Sequence, residues 1–326
     1  MRILVTGSSG HLGEALVRTL SAEGRDVVGL DIAPSPFTHA VGSIADRAFV
    51  HAHMHGVEAV LHTATLHKPH VATHSRQDFV DTNITGTLNL LEESVAAGVR
   101  SFVFTSTTSV FGDALVPPAG MPAAWITEDV EPIAKNIYGV TKLAAENLCH
   151  LFHRNQKLPC IILRTSRFFP EQDDDAETRG QYTDENIKLN EYPYRRVALE
   201  DVVEAHRLAI EHAPGIGFDR FIISATTPFV PGDLAQLRND APAVLAKHVP
   251  GYAEVYTARD WRMFPGIDRV YVNSHARQML GWRPAFDFAH ILERLRAGEC
   301  IAGPLASIVG SKGYHVDKFD EGPYPV

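Results

Sequence analysis

The chain has 326 residues, a formal net charge of −9, 45% apolar and 21% charged side chains, the proportions of an ordinary globular protein with room for one or two domains. The acidic balance and the lack of a long basic run argue against nucleic acid as the main partner, and no apolar stretch is long enough to span a bilayer. The three scattered cysteines, Cys149, Cys160 and Cys300, have no metal spacing and read as free thiols of a reducing compartment. Glycines break the first apolar run too early for a secretory signal, so a cytoplasmic location is expected.

In chain order, strand and helix alternate. "RILV" at 2–5 is a short apolar strand, and Leu12, Ala15, Leu16 and Leu20 follow at helical spacing. "RDVVGLD" is a second buried strand ending at Asp31, and "VEAVLHTA" a third. "DTNITGTLNLLEESVAAG" reads as a helix with Gly98 as its C-cap, and "RSFVFTST" as the next strand. "PCIILR" is another apolar strand, and "RRVALEDVVEAHRLAIEHA" a strand–helix unit. Strands separated by helices imply right-handed crossovers, so the expected fold class is α/β: a doubly wound, Rossmann-type parallel sheet. The proline-bearing second half adds a smaller, discontinuous C-terminal substrate domain. The expected division is 1–164 plus about 195–225 for the first domain, and about 165–194 with 226–326 for the second.

"VTGSSGHLG" places Gly7, Gly10 and Gly13 between the first strand and the first helix, where such folds bind a dinucleotide. Gly7 permits a tight turn, Gly10 lets pyrophosphate approach the backbone, and Gly13 lets helix and strand pack closely. The helix N-terminus then offers free N–H groups and a positive dipole end to the phosphates. Asp31 ends the second strand about 20 residues on, where an acid accepts bonds from the adenosine ribose. A carboxylate there repels a 2′-phosphate, and no arginine follows in "DIAPSPF". The expected cofactor is therefore NAD and not NADP.

"YGVTK" sets Tyr138 and Lys142 at i and i+4, on one helix face. A phenol with pKa near 10 is a poor base, but a nearby ammonium favours the phenolate. The pair can then take a proton from a substrate hydroxyl as hydride leaves its carbon. Upstream, "FTSTTSVFG" supplies hydroxyls from Thr105 to Ser109 at a strand's C-terminal end, the side on which ligands bind.

With these residues in view, the chain resembles the extended short-chain dehydrogenase/reductase family, the NAD-dependent epimerase/dehydratase group. The resemblance rests on "TGSSGHLG", Asp31, "HTAT", "NITGT", "STTSVFG", "YGVTK" and "LGWRP". It implies that Tyr138 is the catalytic acid or base, that Lys142 holds the nicotinamide ribose, and that Thr107 hydrogen-bonds the reacting oxygen. It also implies a cofactor site of Gly7, Ser9, Gly10, His11, Leu12, Gly13, Asp31, Thr63, Ala64, Thr65, Thr105, Tyr138 and Lys142, with Asn83 as a structural helix residue beside it. Ser43 and Ile44 match the adenine-contacting pair in part, since Ser43 replaces an acid. The helices near 88–98 and from Tyr138 onward are implied as a homodimer interface.

Two departures narrow the chemistry. Sugar 4,6-dehydratases of the family follow the catalytic threonine with Asp-Glu, whereas Thr108 and Ser109 stand here and neither can eliminate water. Second, only about 30 residues separate "LRTSRFFP" from "RRVALED", and this segment is polar and reads as loop-rich. A smaller, carbohydrate-like substrate fits that length. His67, Lys68, Thr108 and Arg167 are candidate substrate contacts. Arg167 has two readings, a clamp on a substrate anion or a structural ion pair with the run at 173–175. His67, His70 and His74 have a spacing a metal could use on a helix, but Pro69 disturbs it and nicotinamide chemistry needs no metal, so none is expected. His51, His53 and His55 read as a solvated face, "DWRMFPGIDRVYVN" as core of the smaller domain, and the tail ending "GPYPV" as packing on a partner subunit.

The reading is an NAD-dependent oxidoreductase or epimerase acting by hydride transfer at a secondary alcohol or ketone of a carbohydrate-like substrate. One alternative is a nucleotide-sugar 4-epimerase, like UDP-glucose 4-epimerase, with tightly held NAD. A second is a non-catalytic NAD(P) sensor, which has no need of the tyrosine.

Overall fold

A computed structural model describes residues 1–313. Its main sheet has seven parallel strands in the order β3-β2-β1-β4-β5-β7-β8. The strands are β1 (Arg2–Thr6), β2 (Asp26–Asp31), β3 (Ala40–Val41), β4 (Ala59–His62), β5 (Ser101–Thr107), β7 (Cys160–Thr165) and β8 (Phe218–Ile223). A separate parallel pair joins β6 (Ala124–Ile126) to β9 (Arg269–Tyr271). The eight helices up to residue 216 are α1 (His11–Ala22), α2 (Arg47–His53), α3 (Arg76–Phe79), α4 (Gly86–Ala97), α5 (Ile137–Gln156), α6 (Ala176–Gln181), α7 (Asp184–Glu191) and α8 (Leu199–Ile216).

The central strands are apolar on both faces because helices cover both. Ile3 and Val5 point to one side, with Leu16 of α1 and Val202 and Ala209 of α8. Leu4 points to the other, with Leu90 of α4 and Ala145 and Phe152 of α5. β1 pairs with β2 on one edge and with β4 on the other. The strand order therefore reverses at β1, and a crevice opens beyond the carboxyl ends of β1 and β4.

A further cluster gathers Tyr192, Val244, Leu245, Tyr256, Met263, Ile267, Val270, Phe288 and Ile291, so "DWRMFPGIDRVYVN" supplies core as expected. Not all of 226–326 joins it. Ala276, Leu280 and Trp282 pack in the cluster of α1 and α8, and the Trp282 indole donates to the Asp201 carbonyl at 2.9 Å.

Several expectations change. The polar segment after residue 170 is not simply loop: it forms α6 and α7, capped by Asp175 accepting from Thr178 N and Thr183 accepting from Asn186 N. Ile187 and Leu189 of α7 are buried, so packing overrides the polar composition. "RRVAL" forms no strand, only an isolated bridge between Arg167 and Arg196. The helix before Gly98 opens with a wider π turn at Val80–Thr85, and Gly98 caps it with φ +72°. The end of the tail, "GPYPV", lies outside the described residues. Among the described residues no helix is long and apolar enough to cross a membrane.

Candidate active site

The crevice at the strand-order reversal is a cavity of about 860 Å³. At one end stands the glycine turn. Gly7 has φ +74°, and a Cβ on it would meet Ala64 N at 2.8 Å. A Cβ on Gly13 would lie 1.9 Å from the Gly7 carbonyl oxygen. Helix and strand can thus meet only if both stay glycine. α1 begins at Gly10 with no side-chain cap, which leaves its first-turn N–H groups to a ligand. His11 lines the same wall, and its Nε2 is buried without a hydrogen-bond partner. An orphaned polar atom beside uncapped N–H groups fits a dinucleotide, which brings both phosphate oxygens and hydroxyl or amide donors.

Asp31 stands across this turn. Its carboxylate accepts Ser9 N and Ala33 N, each at 2.9 Å, so it is held in place and its remaining lone pairs can take ribose hydroxyls. Ser43 and Ile44 line the same end. Ser43 Oγ accepts Ala45 N at 3.1 Å. Thr63, Ala64 and Thr65 form the floor beyond β4. Thr63 Oγ1 donates to the Thr6 carbonyl at 2.6 Å, and Ala64 N donates to Thr6 Oγ1 at 3.2 Å. Asn83 does not line the cavity. Its amide oxygen accepts Thr65 Oγ1 and Leu66 N, and its amide nitrogen donates to Thr141 Oγ1 at 3.0 Å. It clamps the loop after β4 to α5 and so shapes the floor from behind.

At the middle of the cavity Tyr138 and Thr107 line the wall, and both are buried. Burial pushes the phenol up to about 12, and the Thr107 hydroxyl opposes this. Asn136 starts α5 by accepting Gly139 N at 3.0 Å, which brings Tyr138 into the first turn, facing the cavity. Lys142 lies one turn further, behind the wall. Its Nζ donates to the Thr105 carbonyl at 2.6 Å and lies 4.0 Å from the centre of the Phe104 ring. Burial pulls this ammonium down to about 7, against the pull of Glu146. Thr105 also faces away through its hydroxyl, bonded to His206 Nε2 at 2.7 Å. Thr108 and Ser109 line the cavity.

The far wall brings His67 to Tyr138, with ring centres 6.0 Å apart. Burial foremost, then the charges of His70 and Lys142, push its imidazole down to about 3. Among the described residues no group of three or more histidine, cysteine or carboxylate side chains is placed to hold a metal. Arg167 meets carboxylates: Asp173, Asp174 at 2.9 Å and Glu191 at 2.8 Å. Lys68 pairs with the same Asp174. Of the two readings of Arg167, the ion pair is the one formed. Arg164 is likewise buried against Glu146, at 2.7 Å.

Sequence reasoning missed Arg195, Arg269 and Lys312, all of which line the cavity. Arg195 stands just ahead of α8 and binds Glu191 at 2.7 Å, so a paired arginine ahead of a helix was the only local signal. Arg269 and Lys312 carried none, because they reach the cavity from β9 and from the C-terminal segment.

Residues 3–221 match the NAD dependent epimerase/dehydratase family. The chain is 31% identical over 184 residues to a UDP-glucose 4-epimerase of Erwinia amylovora, covering 50% of this chain and 52% of that protein. It is 26% identical over 318 residues to the UDP-glucose 4-epimerase of Lactobacillus helveticus, covering 87% and 92%. The chain spans only about half the length of several curated relatives it matches, 39% to 55%. A short-chain dehydrogenase/reductase superfamily protein from Agrobacterium tumefaciens, solved with bound NAD, shares the fold with TM-score 0.63 at 24% identity, over 91% of this chain and 98% of that one. The family match takes in the glycine turn, Asp31 and the Tyr138–Lys142 pair together, and the chain therefore belongs to the NAD dependent epimerase/dehydratase family, with NAD as its cofactor.

Proposed function

We propose that this protein is an NAD-dependent oxidoreductase or epimerase that acts at a secondary alcohol or ketone of a carbohydrate-like substrate. The observation that carries the reading is the placement of Tyr138 and Thr107 together on the cavity wall, with Lys142 one helical turn behind them. Oxidising a secondary alcohol removes a hydride from carbon and a proton from oxygen, and bound NAD supplies the hydride acceptor. Tyr138 takes the proton, and returns it when the ketone is reduced. Thr107 bonds the reacting oxygen and aligns it with the phenol. A phenol pushed up to about 12 is a weak acid, so positive charge nearby is needed to draw it toward neutrality. With Lys142 itself drawn down to about 7, the positive nicotinamide ring of bound NAD would supply part of that charge and Lys142 the rest.

Gly7, Gly10, Gly13 and α1 hold the phosphates, Asp31 the adenosine ribose, and Ser43 with Ile44 the adenine side. His67, Lys68 and Thr108 face the substrate end, while Arg167 organises that end through its carboxylates. Arg269 and Tyr271 of β9 line the cavity on the substrate side. The epimerase form of the reading draws support from the UDP-glucose 4-epimerases of Erwinia amylovora and Lactobacillus helveticus. A sensor without catalysis is disfavoured by the intact tyrosine, threonine and lysine.

We also propose a homodimer through α4 and α5, where Val95, Val140 and Leu151 are exposed, and a cytoplasmic location, since Cys149 and Cys160 are unpaired thiols. The test is a screen of sugars, sugar acids and nucleotide-sugars for NADH formation and for epimer formation by NMR. Turnover of any of them supports the reading. Tight NAD binding with no turnover across all three classes overturns it in favour of a sensor.

A further inference from the structure

The last described residues cross the cavity beside the glycine turn. The helix Pro304–Val309 is tied to α8 by Leu305 N and Ala306 N, which donate to Glu200 Oε1 at 2.8 and 3.1 Å. Beyond it the Gly310 carbonyl accepts His11 Nδ1 at 2.9 Å. Ser311 Oγ donates to Glu171 Oε1 at 2.7 Å, and Lys312 Nζ donates to Glu14 Oε2 at 2.5 Å. His11 and Glu14 are both in the first turn of α1, and Lys312 and Gly313 line the same cavity as the glycines.

Two consequences follow for a ligand at that helix end. A carbonyl can only accept, so His11 Nδ1 carries the proton. Burial pulls the imidazole pKa down, outweighing the nearby Glu171, so the ring is neutral and its orphaned Nε2 is an acceptor. That atom suits a hydroxyl or amide donor on a ligand. Second, Glu14 is a buried carboxylate at the helix end where a pyrophosphate with two negative charges must sit. Arg18 binds Glu14 at 2.7 Å from the helix side. Lys312 binds it from the cavity side, with its side chain still partly exposed.

We propose that residues 310–313 form a strap of the cofactor site, in which Lys312 supplies positive charge to the pyrophosphate and the Gly310 carbonyl fixes His11 as a hydrogen-bond acceptor. This rests on NAD occupying the cavity. Of the other lysines and arginines at the cavity wall, Lys68, Arg167 and Arg195 are bound to carboxylates of the far wall, Lys135 pairs with Asp113, and Arg269 comes from β9. Lys312 is also paired, but its partner Glu14 is in the first turn of α1, which places this cation at the glycine turn.

The test is calorimetric titration of NAD, ADP-ribose and adenosine into wild type, Lys312→Met, Glu14→Gln and the double variant, with a thermal melt of each. Lys312→Met is expected to weaken NAD and ADP-ribose by about tenfold or more, the scale of a lost charge-assisted bond. Adenosine, which lacks the pyrophosphate, should bind as before, and the unliganded melting temperature should hold. The double variant should stay weaker than Glu14→Gln alone. Unchanged NAD affinity in Lys312→Met, an equal loss for adenosine, or full recovery in the double variant overturns the role of Lys312. A nitrogen-15 spectrum showing His11 protonated at Nε2 overturns the role of Gly310. A wild-type chain that does not bind NAD overturns the cofactor assignment and the strap together, which separates that failure from the others.

Discussion

Glu146 Oε2 lies 2.7 Å from Arg164 Nη2, and both side chains are shut off from solvent. Glu146 also accepts Ser106 Oγ at 2.6 Å. It sits one turn beyond Lys142, so a single carboxylate ties α5 to β5 and β7 directly behind the Tyr138–Thr107 pair. Removing one member of a buried ion pair leaves the other charge stranded. Glu146→Leu should therefore cost about 3–5 kcal/mol in urea unfolding. The double replacement Glu146→Leu with Arg164→Met should recover most of that. If the single variant unfolds at the wild-type midpoint, the pair does not hold these elements together.

Tyr138→Phe keeps the ring and its packing and removes only the titratable oxygen. Turnover on a substrate found by the screen should fall by roughly 10²–10⁴-fold, while NAD affinity stays near wild type. Thr107→Val should cost less, since it removes a bond to the reacting oxygen and not the proton acceptor. Near-normal turnover in Tyr138→Phe would falsify the assigned chemistry.

Asp31 should set the choice of cofactor. Its carboxylate is pinned by Ser9 N and Ala33 N and cannot swing away from a 2′-phosphate. Wild type should bind NAD more tightly than NADP, and Asp31→Ser should narrow the gap by about 10-fold or more, mainly by weakening NAD. Fluorescence titration with both cofactors decides it. NADP affinity equal to that of NAD in the wild type would remove Asp31 from this role.

Stability should decline as pH falls from 6.5 toward 4. Burial foremost pushes His67 down to about 3 and His206 to about 4, and pushes His62 well below its ordinary 6.5. Below pH 6.5 the unfolded chain takes up protons that the fold refuses, so the folded state loses ground. Each group contributes at most about 1.4 kcal/mol per pH unit. Asp201 acts the other way: burial raises it to about 6 from 3.8, so the fold binds that proton first and gains as pH falls. Burial raises Glu128 in the same way, and two such groups stand against five lowered histidines, with His11 and His150 joining the three above. Urea midpoints at pH 7, 6 and 5 measure the net slope, and His206→Gln should flatten it. A slope equal in wild type and variant would show that His206 does not contribute.

The α4–α5 surface should hold the subunits together. Val140 and Leu151 are 49% and 40% exposed on α5, and the replacement Val140→Glu with Leu151→Glu places two like charges on each copy of that surface. Light scattering should give twice the chain mass for wild type and the single-chain mass for the variant. A wild-type mass of one chain at micromolar concentration would rule the dimer out.

What the sequence determined on its own is local. The three glycines act within one turn, Asp31 follows at the end of the next strand, and Tyr138 and Lys142 meet because a helix brings i and i+4 together. Their spacing along the chain is their geometry, and the alternation of apolar runs was enough to imply the parallel sheet. The tertiary structure decided what depends on distant partners. Arg167 had two readings until Asp173, Asp174 and Glu191 folded around it, and Glu191 arrived on a helix whose polar sequence reads as loop. Lys142 was expected at the nicotinamide ribose, and the structure draws its ammonium to the Thr105 carbonyl, 37 residues away in sequence. His11 meets Gly310 across 299 residues. No periodicity encodes such contacts, because they are fixed by how separately formed apolar clusters pack, and that packing is a property of the whole chain.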